Sequence, residues 1–445
     1  MKSRLIAKSL CIGVASLAFA ASAHAATGDN AVTRFMQQAL TTVGAGNIGT
    51  PAAGRLYAMT TIAMYDAVNG IDASTGAVSR RRASALVSAA GAPPNGLRDV
   101  AAAAAAHAVL ISANPSATRR AELDAALLVE ANRFGGVKNA RVAQSLEWGR
   151  FVGEEVARIR SVDGTQVAET IPSSGGIGKF PNAFNGAQFR NMTPFGVTSV
   201  TPFLSPTGPA AVESRQYALD AFEITLFGAP ETAGGFDFDA RRDDIAAFWF
   251  FPPNSITETG SWFAAAIEIA KERNTTASTS DTARLLARIG MSVADSVILS
   301  WTEKATYLTW RPRSAIREGA NDGNPFTVGD PAWVTRRGQV GGTPEWTSGQ
   351  STFAGAGAGA IAEFYCTDAI SFSFTVDPAT KPARTYASLT EAAAEAAASR
   401  VFQGIHFGST NRASLAGGAA IADEIARTRL NRVGVPNADS DCPRN

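Results

Sequence analysis

The stretch SDTARLLARIGMSVADSVILSWTEKATYLTWRP, residues 280–312, carries the reading of the fold. Its apolar positions recur at helical spacing instead of alternating, which predicts a long apolar helix over Ser280 to Trp310. Two cations, Lys304 and Arg311, stand at its end. Seven residues at about 100° each return to nearly the same helix face, so the pair is expected on one side, two turns apart. Two such cations call for an anion. A surface pair serving carboxylates elsewhere is the other reading.

The same periodicity spreads outward. Helices are expected over Thr50 to Gly70, where Pro51 follows a capping threonine, and over Leu97 to Ser112, which is rich in alanine. Others are expected over Ser116 to Phe134, Val137 to Arg160, Ala210 to Phe227 and Thr257 to Glu272. After the central stretch come Ser348 to Tyr365, Leu389 to Phe402 and Ser414 to Arg429. Between them, 164–209 and 312–347 are rich in Gly and Pro and read as long irregular connections. The Ala/Gly alternation from Ala354 to Ala360 fits a helix face packed closely on a neighbour. The expected class is all-α, a helical bundle with long irregular loops, in one domain over 26–445 and with its chemistry within about 280–430.

Lys2, Arg4 and Lys8, an apolar run from Leu10 to Ala20, and Ala23-His24-Ala25 form a secretory signal pattern over 1–25. Export to the periplasm or beyond is therefore expected. Cleavage would remove three of the 40 Lys and Arg and none of the 39 acids, leaving 37 against 39. That balance gives no electrostatic case for nucleic acid or an anionic membrane surface. No later run reaches about eighteen consecutive apolar residues, so no membrane span is expected after cleavage. Cys366 and Cys442 remain, and an oxidising compartment favours a disulfide between them.

Beyond the leader, only His107 and His406 can serve histidine chemistry. His107 lies in the alanine helix and reads as a packed, locally satisfied ring. His406 follows Ser399-Arg400-Val-Phe-Gln-Gly404-Ile405, beside a cation and a helix-breaking glycine. Ser348-Gly349 opens a helix, where free N–H groups favour an anion, though an ordinary N-cap looks the same.

Taken in order, these clusters resemble the vanadium-dependent haloperoxidases and the related type 2 phosphatidic acid phosphatases. Lys304, Arg311 and Pro312 match Lys-x6-Arg-Pro, and Ser399, Arg400 and His406 match Ser-Arg-x5-His. Ser348 and Gly349 match the middle of Pro-Ser-Gly-His. Residues 63–71, the helix around His107 and residues 310–331 are also similar to bacterial haloperoxidases. The resemblance implies that Lys304, Arg311, Arg400, Ser348 and Gly349 clamp vanadate, with phosphate as a competing ligand, and that His406 ligates the metal. Hydrogen peroxide and a small-molecule substrate, halide or organic, would be the reaction partners.

Two positions depart from the pattern. Gln350 replaces the family acid/base histidine, and Thr347 replaces its proline. Glutamine does not exchange a proton near neutral pH. At the place where the family often carries an acid, four residues past the final histidine, stands Thr410. Asp295 and Glu303 do not face Lys304 at helical spacing and offer no evident replacement acid. Three activities stay open: a haloperoxidase-like oxidoreductase using His406, Lys304 and Gln350, a phosphate-ester hydrolase working through a phosphohistidine, and a degenerate oxyanion-binding homologue.

Overall fold

The computed structural model describes residues 28–75, 82–230, 240–377 and 379–433. The signal-like segment 1–25 and Cys442 lie outside the described residues; Cys366 itself is disulfide-bonded.

Thirteen α-helices run through the described residues. The first five are α1 (Ala31–Ala45), α2 (Thr50–Ser74), α3 (Arg98–Ser112), α4 (Ala117–Arg133) and α5 (Ala140–Arg160). Next come α6 (Arg215–Phe227), α7 (Ala240–Phe248), α8 (Thr257–Glu272) and α9 (Thr279–Tyr307). The last four are α10 (Pro312–Glu318), α11 (Gly349–Tyr365), α12 (Leu389–Phe402) and α13 (Gly408–Thr428). Among the described residues the strands form two short antiparallel pairs, β1 (Thr170–Ile171) with β2 (Phe184–Asn185) and β3 (Phe372–Phe374) with β4 (Arg384–Tyr386), beside two isolated bridges. The all-α expectation holds.

Helix α9 is the axis of the molecule. By length and composition it could cross a membrane, but its residues are buried against α2 on one side and α11 and α13 on the other. One apolar cluster runs from Ala31 through α9 to Leu430. The 164–209 segment is irregular as expected and is tied to α9 by a buried carboxylate. Asp295 accepts the backbone N–H groups of Phe195, Gly196 and Val197 at 2.6, 2.7 and 2.8 Å. Glu303 accepts the N–H of Ser205. Both acids are thus spent on holding a loop.

The Ala/Gly face of α11 meets α13 as its composition implied. A Cβ added at Gly355 would lie 2.1 Å from the carbonyl oxygen of Leu415, and one at Gly418 only 2.0 Å from that of Thr352. This backbone-to-backbone contact brings the N-terminus of α11, which carries Ser348, beside the turn that carries His406.

Three expectations need correction. The central helix ends at Tyr307, not Trp310: Leu308 takes a left-handed conformation (φ +51°) and its N–H returns to the carbonyl of Lys304. Lys304 and Arg311 therefore do not share a helix face; Arg311 is the N-cap of α10, where Pro312 starts a new helix in a connection expected to be irregular. Helix α13 begins at Gly408, six residues before the expected Ser414.

Candidate functional site

Four side chains from two helix junctions, α9 to α10 and α12 to α13, meet in the interior. Lys304 comes from the last turn of α9, Arg311 from the cap of α10, Arg400 from the last turn of α12, and His406 from the turn between α12 and α13. Lys304 is 2% exposed, His406 3%, Arg311 4% and Arg400 9%. Buried cations are rare unless paired, so the cluster is a costly arrangement that packing alone does not explain.

The local folding reasons can be traced. Gly404, at φ +77°, lets the chain leave α12 and turn back; a Cβ there would sit 2.5 Å from the carbonyl of Gly228. The N–H groups of Ile405 and His406 return to the carbonyl of Arg400, which fixes cation and imidazole relative to each other. Arg311 lies flat against Gly341, where a Cβ would come 2.5 Å from its Cζ. Its Nε donates to the carbonyl of Thr343 at 2.7 Å, and one terminal nitrogen donates to the carbonyl of Ile405 at 2.8 Å. The same nitrogen approaches His406 Nε2 at 2.8 Å. Lys304 Nζ donates to the carbonyl of Pro344.

Each charge depresses the others. Burial first, and then the charge of Arg311, holds the Lys304 ammonium well below its ordinary value. Arg311 falls to about 10 through burial and through Arg400, against a pull upward from Glu345. Burial brings Arg400 to about 10 as well. The His406 imidazole is pushed well below its usual range by burial, then by Arg311, Lys304 and Arg400. At neutral pH it is an uncharged ring inside a positive cage.

Ser348 is fully buried and caps α11. Its hydroxyl pairs with that of Ser351 at 2.9 Å, and its N–H donates to Ser414 Oγ at 3.0 Å. The amide of Gly349, in the first turn, has no acceptor within its own helix. Gln350 is held firmly: its Oε1 accepts from Arg400 at 2.6 Å, and its Nε2 donates to the carbonyl of Trp249 at 3.3 Å.

Residues 284–433, which contain every residue of the cluster, match the family model of the VCPO second helical-bundle domain. A 101-residue stretch is 34% identical to a vanadium chloroperoxidase of Curvularia inaequalis, covering 21% of this chain and 16% of that protein. A bacterial vanadium-dependent iodoperoxidase superposes with a TM-score of 0.72 at 21% identity, over 91% of this chain and 98% of that one. A holo-type bacterial vanadium-dependent chloroperoxidase does so at 0.66 and 14% identity, over 90% and 97%. The chain has the vanadium haloperoxidase fold. Its residues 284–433 belong to the second-bundle family.

Within that haloperoxidase fold, the sequence reading missed one acid. Glu345, 1% exposed, lies in the Gly/Pro-rich connection before α11. Its Oε1 meets His406 Nδ1 at 3.1 Å and accepts the N–H of Phe407 at 3.0 Å. Its Oε2 accepts the hydroxyl of Thr410 at 3.0 Å. Burial raises its carboxyl to about 7, against the pull of Arg311. The signal was available: with threonine at 410, a buried histidine needs its partner from elsewhere, and Glu345 stands three residues before Ser348. His107 is indeed satisfied locally, by Asp124 at 2.7 Å. A cavity of about 570 Å³, lined by Asp72, Arg98, Asp99 and Arg141 among others, contains none of the cluster residues.

Proposed function

We propose that this chain binds vanadate between His406 and the three cations and uses hydrogen peroxide to oxidise a halide or small organic substrate. The observation that carries it is the His406 ring, its Nε2 facing Arg311 at 2.8 Å inside a buried cluster that includes Lys304 and Arg400. A tetrahedral anion of the vanadate or phosphate kind would neutralise that excess charge. The donor set fits such a guest. Arg400 Nε is buried with no partner among the described residues, which is unusual for a guanidinium. Lys304 has three donors, of which one meets Pro344.

In this reading Lys304, Arg311 and Arg400 hold the anion's oxygens through charge-assisted hydrogen bonds, the strong kind in a dry site. The Gly349 amide adds a donor at the start of α11. His406 offers a lone pair at Nε2 because its charged form is disfavoured there. Bound vanadate supplies the Lewis acidity that activates peroxide. The protein's own residues exclude water and fix the charges in advance, so little reorganisation is left for the reacting state. Gln350, bonded to Arg400 and Trp249, transfers no proton; it aims Arg400.

The test is direct. Protein reconstituted with orthovanadate should oxidise iodide or bromide with hydrogen peroxide, and inorganic phosphate should suppress that rate by competition. Turnover of a chromogenic phosphate ester, inhibited by vanadate, would instead support the hydrolase. Tight vanadate binding with neither activity would leave an oxyanion-binding homologue.

A further inference from the structure

The hydrogen bonds around His406 allow only one arrangement of its proton. A guanidinium is a donor at every nitrogen, so the 2.8 Å contact from Arg311 requires a bare lone pair on Nε2. With Nε2 bare, the ring's proton sits on Nδ1 and is donated to Glu345 Oε1 at 3.1 Å. Glu345 has no freedom to turn away, because the Phe407 N–H holds the same oxygen and the Thr410 hydroxyl holds the other. Thr410 is itself fixed within the first turn of α13. Carboxylate, threonine, amide and imidazole are all at most 7% exposed.

We infer that Glu345 is the positioning residue of this site: it locks His406 in the Nδ1–H tautomer and aims Nε2 into the cation cluster. The acid thus comes from the loop before α11, on the same segment that supplies Ser348, and Thr410 has become its buttress. The anion clamp and the ring's orientation are tied to one loop, 341–348, in which Gly341 seats Arg311, Thr343 and Pro344 accept from the cations, and Glu345 holds the imidazole. An outer partner of this kind fixes the tautomer and ring angle of a ligating histidine, and losing it typically costs about 10–100-fold in metal affinity or activity. The functional part of the inference rests on the vanadate reading; the tautomer does not.

The experiment uses the full chain with ¹⁵N-labelled histidine and no added anion. Only three histidines are present in the sequence, so two-bond ¹⁵N–¹H correlation spectra, with H107Q and H406Q for assignment, report His406 alone. The expected spectrum at neutral pH has a pyrrole-type Nδ1 and a pyridine-type Nε2. E345A should release the ring to a tautomer mixture and weaken orthovanadate binding about 10–100-fold by calorimetry. E345Q, which keeps an acceptor and loses the charge, should retain the tautomer and lose less affinity. E345A/T410D, which returns an acid to the first turn of α13, should recover both. A wild-type His406 with its proton on Nε2, or an E345A protein with unchanged tautomer and affinity, overturns the inference. Should E345A not fold, the wild-type tautomer and E345Q still decide. If the tautomer responds as expected but wild-type protein ignores vanadate, Glu345 keeps its role and the vanadate reading fails.

Discussion

Placing histidine at position 350 should gain almost nothing, although the resemblance makes it the obvious repair. Gln350 Oε1 lies 2.6 Å from Arg400, so a ring built there would have one nitrogen against that guanidinium. To serve as an acid it must become imidazolium. A second unit charge about 4 Å from the guanidinium is opposed by about 4 kcal/mol at an effective dielectric near 20. That is about three pKa units, which would move an ordinary histidine from about 6.5 to about 3.5. At neutral pH roughly one molecule in several thousand would carry the proton. General acid catalysis contributes about 10²–10⁴-fold, so the fraction protonated cancels the benefit. Initial rates of peroxide-dependent iodide oxidation, with vanadate saturating, should therefore rise less than about tenfold in Q350H. A rise of a hundredfold or more would show that Arg400 does not control this position and that Gln350 is merely a missing acid.

Further outcomes follow from the same contacts. G341A puts a Cβ 2.5 Å from Arg311 Cζ at a residue with φ +84°, so it should displace the guanidinium and cost about 1–3 kcal/mol in backbone strain alone; a denaturation midpoint and a vanadate titration that both match wild type would refute this. D295A orphans three buried amides in 195–197 and should cost roughly 3 kcal/mol or more of stability; urea unfolding with a loss under about 1 kcal/mol would contradict it. The depressed pKa of His406 makes the unfolded chain take up a proton, below about pH 6.5, that the folded chain refuses. Its contribution to stability is thus complete above that pH and lost on acidification, by about 1.4 kcal/mol per pH unit at most. Unfolding midpoints between pH 7.5 and 5.5 should fall less steeply in H406Q than in wild type; equal slopes would refute the assignment.

Much of this molecule was legible before its fold was seen, for reasons that differ by element. Helix α8 and helix α12 span the residues that periodicity marked, because their apolar positions alone decide where they pack. Helix α1 was missed: its run of Val32, Thr33, Thr41, Thr42 and Val43 has weak helix propensity, and it is held by the Asn30 cap and by burial. Helix α7 is nine residues long and owes its existence to packing on α12. The start of α13, Gly408-Ser409-Thr410-Asn411, is poor helix sequence; Asp220 receives Ser409 and Glu345 receives Thr410 there, contacts that no local pattern reveals. The cation pair shows a different limit. Lys304 and Arg311 do converge, but through a left-handed break at Leu308 and a new helix at Pro312, a geometry that helical spacing does not give. Glu345 sits in a segment without periodicity, where only the chemical demand of His406 for a partner could have pointed to it.

Vanadate soaked into crystals of the full chain, located by its anomalous scattering, tests the central claim most directly. The metal should lie within bonding distance of His406 Nε2, with Lys304, Arg311 and Arg400 on its oxygens and Glu345 still on Nδ1. Vanadium bound away from His406, or none at millimolar concentration, would contradict it.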